Sequence, residues 1–259
     1  MIKHWLMVFL LPCLMLAASA FAEESWQSPA YLQQAFNEVA LHSEYIAGEQ
    51  VVRKWQQPVK VWLVHHADQA DKHTKLTRYH LRHLSQITGH PISFAASAAE
   101  ANMTVVFSQS ALWHQEVAQV SGNKSRPPPA DAICMFGLTL DAQNAIKRAW
   151  VVIPVDHANE RGSLVSCIVE EITQAMGLPN DSDKVYPSVF NDKTPESLLT
   201  GLDALLLKML YLPAIKPGMR AGQVQPILER QLQQWQDDGT LQNAEKNVRQ
   251  SELYEMMGF

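Results

Sequence analysis

One amphipathic helix constrains this chain more than any other segment. Between residues 163 and 176 the apolar side chains recur at helical spacing and fall on one arc, formed by Val165, Ile168, Val169, Ile172, Ala175 and Met176. Gly177 readily adopts the left-handed backbone conformation that ends a helix, and Pro179 prevents the helix from continuing. The pattern predicts a helix that packs one face on a core and carries Cys167, Glu170, Glu171 and Gln174 on the other side.

The rest of the chain alternates between strand-like and helical segments. β-branched and aromatic runs predict strands over Lys60–Val64, Pro91–Phe94, Met103–Phe107, Ile133–Leu138 and Ala149–Pro154. Helical spacing of apolar residues predicts helices over residues 29–57, 69–88, 196–211 and 222–236, followed by a weakly anchored tail. This order predicts an α/β (α+β) fold with one mixed sheet and C-terminal helices.

The first 22 residues have the form of a secretory signal peptide. Lys3 is followed by the apolar run Leu6–Ala18 and by a small-x-small cleavage site at Ala20–Ala22. The apolar run is shorter than the roughly 20 residues that a membrane span needs. We therefore expect a periplasmic or secreted chain with no transmembrane segment after signal removal. The net charge of −5 at pH 7 argues against a nucleic-acid partner, whose binders usually carry a basic patch.

Cysteine usage agrees with export. Once Cys13 leaves with the signal peptide, Cys134 and Cys167 form an even pair in a compartment that permits disulfides. We predict a bridge between them, which would tie the segment before one strand to the amphipathic helix. The alternative is two buried free thiols.

The polar side of the helix is a candidate metal site. Glu170 and Gln174 stand four residues apart and can converge on one ion. Glu171 lies about 100° round the helix axis, where a general base would reach a metal-bound water. Oxygen ligands suit calcium, magnesium or manganese, whereas zinc favours nitrogen and sulfur and would bind weakly. The alternative is a solvated polar helix face without a site.

This segment resembles the active-site helix of zincin metalloproteases of the metzincin type, H-E-x-x-H-x-x-G-x-x-H, with E-E-x-x-Q in place of H-E-x-x-H. The resemblance puts Glu171 at the catalytic base and puts Glu170, Gln174 and Asn180 at the three metal-ligand positions. Asp181 or Asp183 would supply replacement carboxylates. The resemblance also implies a zincin-like fold and places the strand over Met103–Phe107 beside the substrate cleft.

A closer resemblance is to an exported bacterial family of unknown function, domain of unknown function 2927. It is carried by Cys167–Gln174, Gly177–Asp181, Pro187–Asp192, Leu202–Leu207 and Lys216–Met219. The expected organisation is a signal peptide (1–22), an N-terminal helical segment (23–59), a zincin-like domain (60–221) and a C-terminal helix with a tail (222–259).

Two functions follow from this interpretation. The favoured one is a metalloprotease-related protein with a degenerate metal-site helix, whose chemistry, if any, would be water attack on a peptide bond with Glu171 as base. The alternative is a non-catalytic module that binds a peptide or a cell-envelope protein in the same cleft. In both cases Glu170, Glu171 and Gln174 are expected to face an open groove.

Overall fold

The computed structural model describes residues 26–43, 50–122, 127–129, 132–194 and 196–259. The predicted signal peptide lies outside these ranges. Within them, no helix combines the length and the apolar character that crossing a bilayer requires.

A mixed six-stranded sheet organises the described part of the chain. Its strands are β1 (Lys54–Trp55), β2 (Val59–His65), β3 (Ile92–Phe94), β4 (Met103–Ser108), β5 (Met135–Leu140) and β6 (Ala145–Pro154). The hydrogen-bonded order is β1-β6-β4-β2-β3. Strand β5 lies off this path and pairs with β6. All pairings are parallel except that of β5 with β6, which is antiparallel. The five strands predicted from sequence are confirmed.

The helices surround this sheet. They are α1 (Pro29–Phe36), α2 (Ala70–Thr88), α3 (Trp113–Ser121), α4 (Val155–Glu160), α5 (Leu164–Gln174), α6 (Gly201–Leu210), α7 (Ala221–Asp237), α8 (Ala244–Val248) and α9 (Glu252–Met257). A π-helical turn, Asn37–Leu41, continues α1. The predicted helix over residues 29–57 is therefore wrong for residues 42–43 and 50–57, and its residues 44–49 lie outside the described ranges. The prediction of a weakly anchored tail after residue 236 is also wrong. This segment is folded, since α8 packs against α6 and α9 packs against α2.

Alternation along the central strands divides the core between the two faces of the sheet. Val105 and Phe107 of β4 belong to the main core together with Val151 and Ile153 of β6. Their neighbours Val106, Trp150 and Val152 form a smaller cluster with Trp113 and Val117 of α3. Because successive side chains of a strand point to opposite faces, each strand contributes to both clusters. The apolar arc of α5 packs into the main core.

The short strand β1 caps two helices. The indole nitrogen of Trp55 donates to Ala175 O at 2.9 Å, at the end of α5. The Lys54 ammonium donates to Leu210 O at 2.8 Å, at the end of α6, and to Ile215 O at 3.1 Å in the segment that follows. Both contacts satisfy carbonyl groups that a helix C-terminus leaves without a partner. Burial, together with the positive charge of Lys216, lowers the pKa of Lys54 to about 8.

The strand that the metzincin resemblance places beside the cleft lies elsewhere. β4, over Met103–Ser108, is paired on both sides, with β2 and with β6. It is therefore an interior strand, and the expectation that it borders the groove is wrong. The strand at the edge of the sheet beside α5 is the antiparallel β5.

Candidate metal centre

The end of α5 is fixed by a close backbone approach. Gly177 has φ +114°, a conformation that residues with a Cβ rarely adopt, and a Cβ at this position would lie 2.1 Å from Arg53 O. The Tyr211 hydroxyl donates to Met176 O at 2.9 Å, next to the Trp55 contact at Ala175. Gly177 is thus required where the chain turns from α5 into the segment that carries the candidate ligands.

Three carboxylates meet at this turn. Ligand oxygens of Glu170, Asp181 and Asp192 all lie within 4.8 Å of one another. Glu170 and Asp181 are half-buried, and Asp192 is exposed. Two of the three were predicted as ligands from sequence, while Asp192 was not. The signal for Asp192 was its place at the end of the Pro187–Asp192 motif.

Gln174 connects the helix to this group. Its side-chain amide donates to Asp181 Oδ1 at 2.8 Å, and only 2% of the residue is exposed. Gln174 therefore contacts a carboxylate that lies close to Glu170. Convergence of Glu170 and Gln174 on one ion stays a prediction.

Asn180 and Asp183 lie outside the carboxylate group. The Asn180 amide donates to Glu38 O and to Asp181 O, both at 2.9 Å, and so ties the turn to the π-helical segment after α1. Asp183 forms an ion pair with Lys193 Nζ at 2.6 Å. Neither side chain joins Glu170 in the group of three acids.

Glu171 and Gln174 do not face an open groove. Glu171 is 6% exposed and Gln174 is 2% exposed, so the polar side of α5 is largely covered. The expectation of an open groove is wrong for these two residues, because both side chains are buried and Gln174 is bonded to Asp181 on the following segment. Glu170 keeps partial exposure.

The chain between Asp181 and Asp192 forms a closed loop, called here the 181–192 loop. Ser182 N–H donates to Phe190 O at 2.8 Å, which brings the two ends together. The Asn191 amide donates to Val185 O at 2.9 Å inside the loop. At the loop tip, Tyr186 N–H donates to the Tyr31 hydroxyl of α1 at 2.8 Å.

The predicted disulfide is confirmed. Cys134 and Cys167 are bonded, with their Cα atoms 5.9 Å apart. Cys134 directly precedes β5, and Cys167 lies one turn before Glu170 on α5. The bridge therefore holds the edge strand against the helix that carries the candidate ligands.

The donor set defines the chemistry that is open to this site. Three carboxylates at short separation offer only oxygen ligands to a metal ion. Calcium takes six to eight oxygen ligands, and magnesium and manganese also prefer oxygen. The arrangement fits a hard divalent cation better than zinc.

The described chain is thus an α/β protein with an all-oxygen candidate metal centre at the end of one buried helix. It belongs to the family of proteins of unknown function DUF2927, whose model matches residues 29–230. No curated protein and no solved structure matches it. The family model covers every candidate ligand, both cysteines of the disulfide and all six strands.

Proposed function

We propose that this chain is an exported, zincin-like protein related to metalloproteases, in which the active-site helix has become a site for a hard divalent cation. Glu170, Asp181 and Asp192 would hold the ion, and Gln174 would orient Asp181. In this proposal the cation stabilises the 181–192 loop, and the protein does not hydrolyse peptides.

The carboxylate group carries this proposal. Three acids from two separate segments, α5 and the 181–192 loop, place oxygens within 4.8 Å of one another. Three carboxylate oxygens this close together can coordinate one divalent cation, which their negative charges would attract. The Gln174 contact supports the same interpretation, because a donor at Asp181 Oδ1 fixes the orientation of that carboxylate.

The order of elements supports the zincin-like part of the proposal. A mixed sheet with one antiparallel edge strand precedes α5, and a loop containing Tyr186 and Pro187 follows it before the apolar helix α6. These features agree with the sequence resemblance around E-E-x-x-Q. Two features argue against a working peptidase, the lack of histidine at all three ligand positions and the burial of Glu171.

A peptidase assay tests the loss of catalysis. The purified protein and its Glu171→Gln variant would be incubated with a fluorogenic peptide library, with and without added zinc, manganese or calcium. We expect no cleavage above background in any condition. Cleavage that zinc stimulates and Glu171→Gln abolishes would contradict the proposal and identify a working metallopeptidase.

A second candidate function, peptide binding without catalysis, is favoured by the edge strand β5. Among the described residues β5 pairs with β6 and with no second strand, so its outer edge has no neighbouring strand. Such an edge binds extended peptides by strand addition. The Cys134–Cys167 bridge would hold this edge beside α5. The partner would be an extended segment of a peptide or of a cell-envelope protein.

Proline substitution tests strand addition at this edge. Adjacent residues of an edge strand direct their N–H groups to opposite sides, so Leu138→Pro and Thr139→Pro remove donors from different edges. One variant should lose stability because it breaks the ladder with β6. The other should stay folded and lose binding in a peptide-array assay. Equal peptide binding by that folded variant and the unaltered protein would contradict the second function.

A further inference from the structure

The search outside the carboxylate group leads to a buried acid on α6. Asp203 is 0% exposed and lies in the first turn of that helix. Its carboxylate accepts hydrogen bonds from Ser188 Oγ at 2.6 Å, Val189 N at 3.2 Å and Thr200 N at 2.8 Å. Two of these three donors belong to the 181–192 loop. The Thr200 hydroxyl also donates to Pro187 O at 2.8 Å.

These contacts continue to the candidate ligands through the backbone. Phe190 follows the two residues that Asp203 binds, and its carbonyl accepts from Ser182 N–H at 2.8 Å. Ser182 is next to Asp181, and Asp192 follows Phe190 by two residues. A shift of the segment held by Asp203 would therefore move both loop carboxylates relative to Glu170, which is fixed on α5.

We infer that Asp203 is the positioning residue of the cation site: it locks the 181–192 loop to α6 and thereby sets the distance between the loop carboxylates and Glu170. This inference rests on the proposed function. Asp203 does not touch the ion. It acts as an outer-shell group acts on a metal ligand, and loss of such groups typically weakens metal binding about 10–100-fold.

Terbium(III) is a suitable probe, since it binds oxygen sites and its luminescence lifetimes in H₂O and D₂O count the water molecules on the ion. The variants are Asp203→Asn and Ser188→Ala, of which the second removes a single donor and serves if the first does not fold. The matched control is Glu245→Gln. Glu245 accepts from Gly201 N at 2.8 Å, at the start of the same helix, but its side chain does not bond to the loop.

Titration of the unaltered protein and of Asp192→Asn first establishes the site. We expect Asp203→Asn and Ser188→Ala to weaken terbium binding about 10–100-fold at a temperature where circular dichroism shows them fully folded. We also expect them to add coordinated water to the bound ion, while Glu245→Gln lowers only the melting temperature.

Three results would overturn the inference, and they are distinguishable. In the first, Asp192→Asn loses terbium binding, while Asp203→Asn and Ser188→Ala keep the affinity and the number of coordinated water molecules. This result would refute the positioning role alone. Absence of terbium binding by the unaltered protein would overturn the cation site and this inference together. An equal loss of affinity in Glu245→Gln would reduce Asp203 to a general stabiliser of α6 and would also refute its specific role.

Discussion

The side-chain amide of Gln174 donates to Asp181 Oδ1 at 2.8 Å. This bond connects the position that would hold a zinc-binding histidine in a metzincin helix to a carboxylate on the following loop. Glutamine can donate to the acid and still keep an oxygen, whereas a zinc-bound imidazole would use one ring nitrogen for the metal. Under the proposed relation to metzincins, glutamine at position 174 therefore fits a site with oxygen ligands.

The Cys134–Cys167 bridge should contribute strongly to stability. It closes a loop with a sequence separation of 33 residues, and the chain-entropy model gives about 4 kcal/mol for a loop of that length. We expect the double variant Cys134→Ser/Cys167→Ser to lose a similar free energy of unfolding in urea. Two thiols that react with an alkylating agent in the denatured, unreduced protein would show that the bridge is absent.

Gly177 should tolerate alanine far less than another glycine with positive φ. Gly177→Ala combines backbone strain of about 1–3 kcal/mol with a Cβ that would lie 2.1 Å from Arg53 O. The matched control is Gly89→Ala, where φ is +66° and no atom lies within 4 Å of the Cβ. We expect a much larger fall in melting temperature for Gly177→Ala. Equal falls would mean that the approach of Arg53 does not constrain the turn.

Buried histidines on α2 should make the fold sensitive to acid. Neither ring nitrogen of His73 has a hydrogen-bond partner among the described residues, and the ring stacks on Phe107 at 4.6 Å. Burial lowers the pKa of His73 to about 4, that of His80 to about 3 and that of His83 to about 4. Between these values and the ordinary 6.5, the unfolded chain binds protons that the folded chain does not. Stability is therefore lost as the pH falls through this window.

Asp203 acts in the opposite direction, because burial raises its pKa to about 6 and the folded chain takes up one proton. The three histidines outweigh this single group. We expect His73→Leu to flatten the acid slope of the unfolding free energy by up to about 1.4 kcal/mol per pH unit. The exposed His114, changed to Gln, serves as the matched control. An identical pH profile for His73→Leu and the unaltered protein would contradict the burial of a neutral His73.

Restoring imidazoles should recover zinc binding only in part. Glu170→His with Gln174→His supplies two nitrogen ligands one helical turn apart, so zinc affinity measured by competition with a chromogenic chelator should rise. Adding Asn180→His should bring little further gain and lower the stability, because Asn180 donates to Glu38 O at 2.9 Å. A large gain from the third histidine would show that position 180 points at the site.

Periodic segments could be predicted from the sequence, and contacts between distant segments could not. The apolar arc of α5 and the β-branched runs specify helix and strands locally. The edge position of β5 depends on pairing across the sheet, which periodicity does not encode. α3 was missed, and so was the folded tail, because anchors such as Leu241, Val248 and Leu253 are sparse in the sequence although each is buried.

The candidate site shows the same contrast between residues that local patterns predict and residues that only the folded chain brings together. Glu170 and Asp181 could be predicted because a helical register and a motif spacing bring them near one point. Asp192 could not, because only closure of the 181–192 loop brings it to the helix. The burial of Glu171 has the same kind of origin, since local polarity predicts an exposed side chain and the fold covers it.

Calorimetric titration with manganese tests the cation site most directly. Asp192→Asn removes a candidate ligand, and Asp183→Asn removes the same charge from an acid that pairs with Lys193 instead. We predict that the unaltered protein binds one manganese ion per chain and little zinc. Asp192→Asn should lose manganese affinity by at least the roughly 10–100-fold that is typical when a group behind a metal ligand is removed. Asp183→Asn should bind nearly as well as the unaltered protein. Absence of manganese binding, an equal effect of the two variants, or tight stoichiometric zinc would contradict the account.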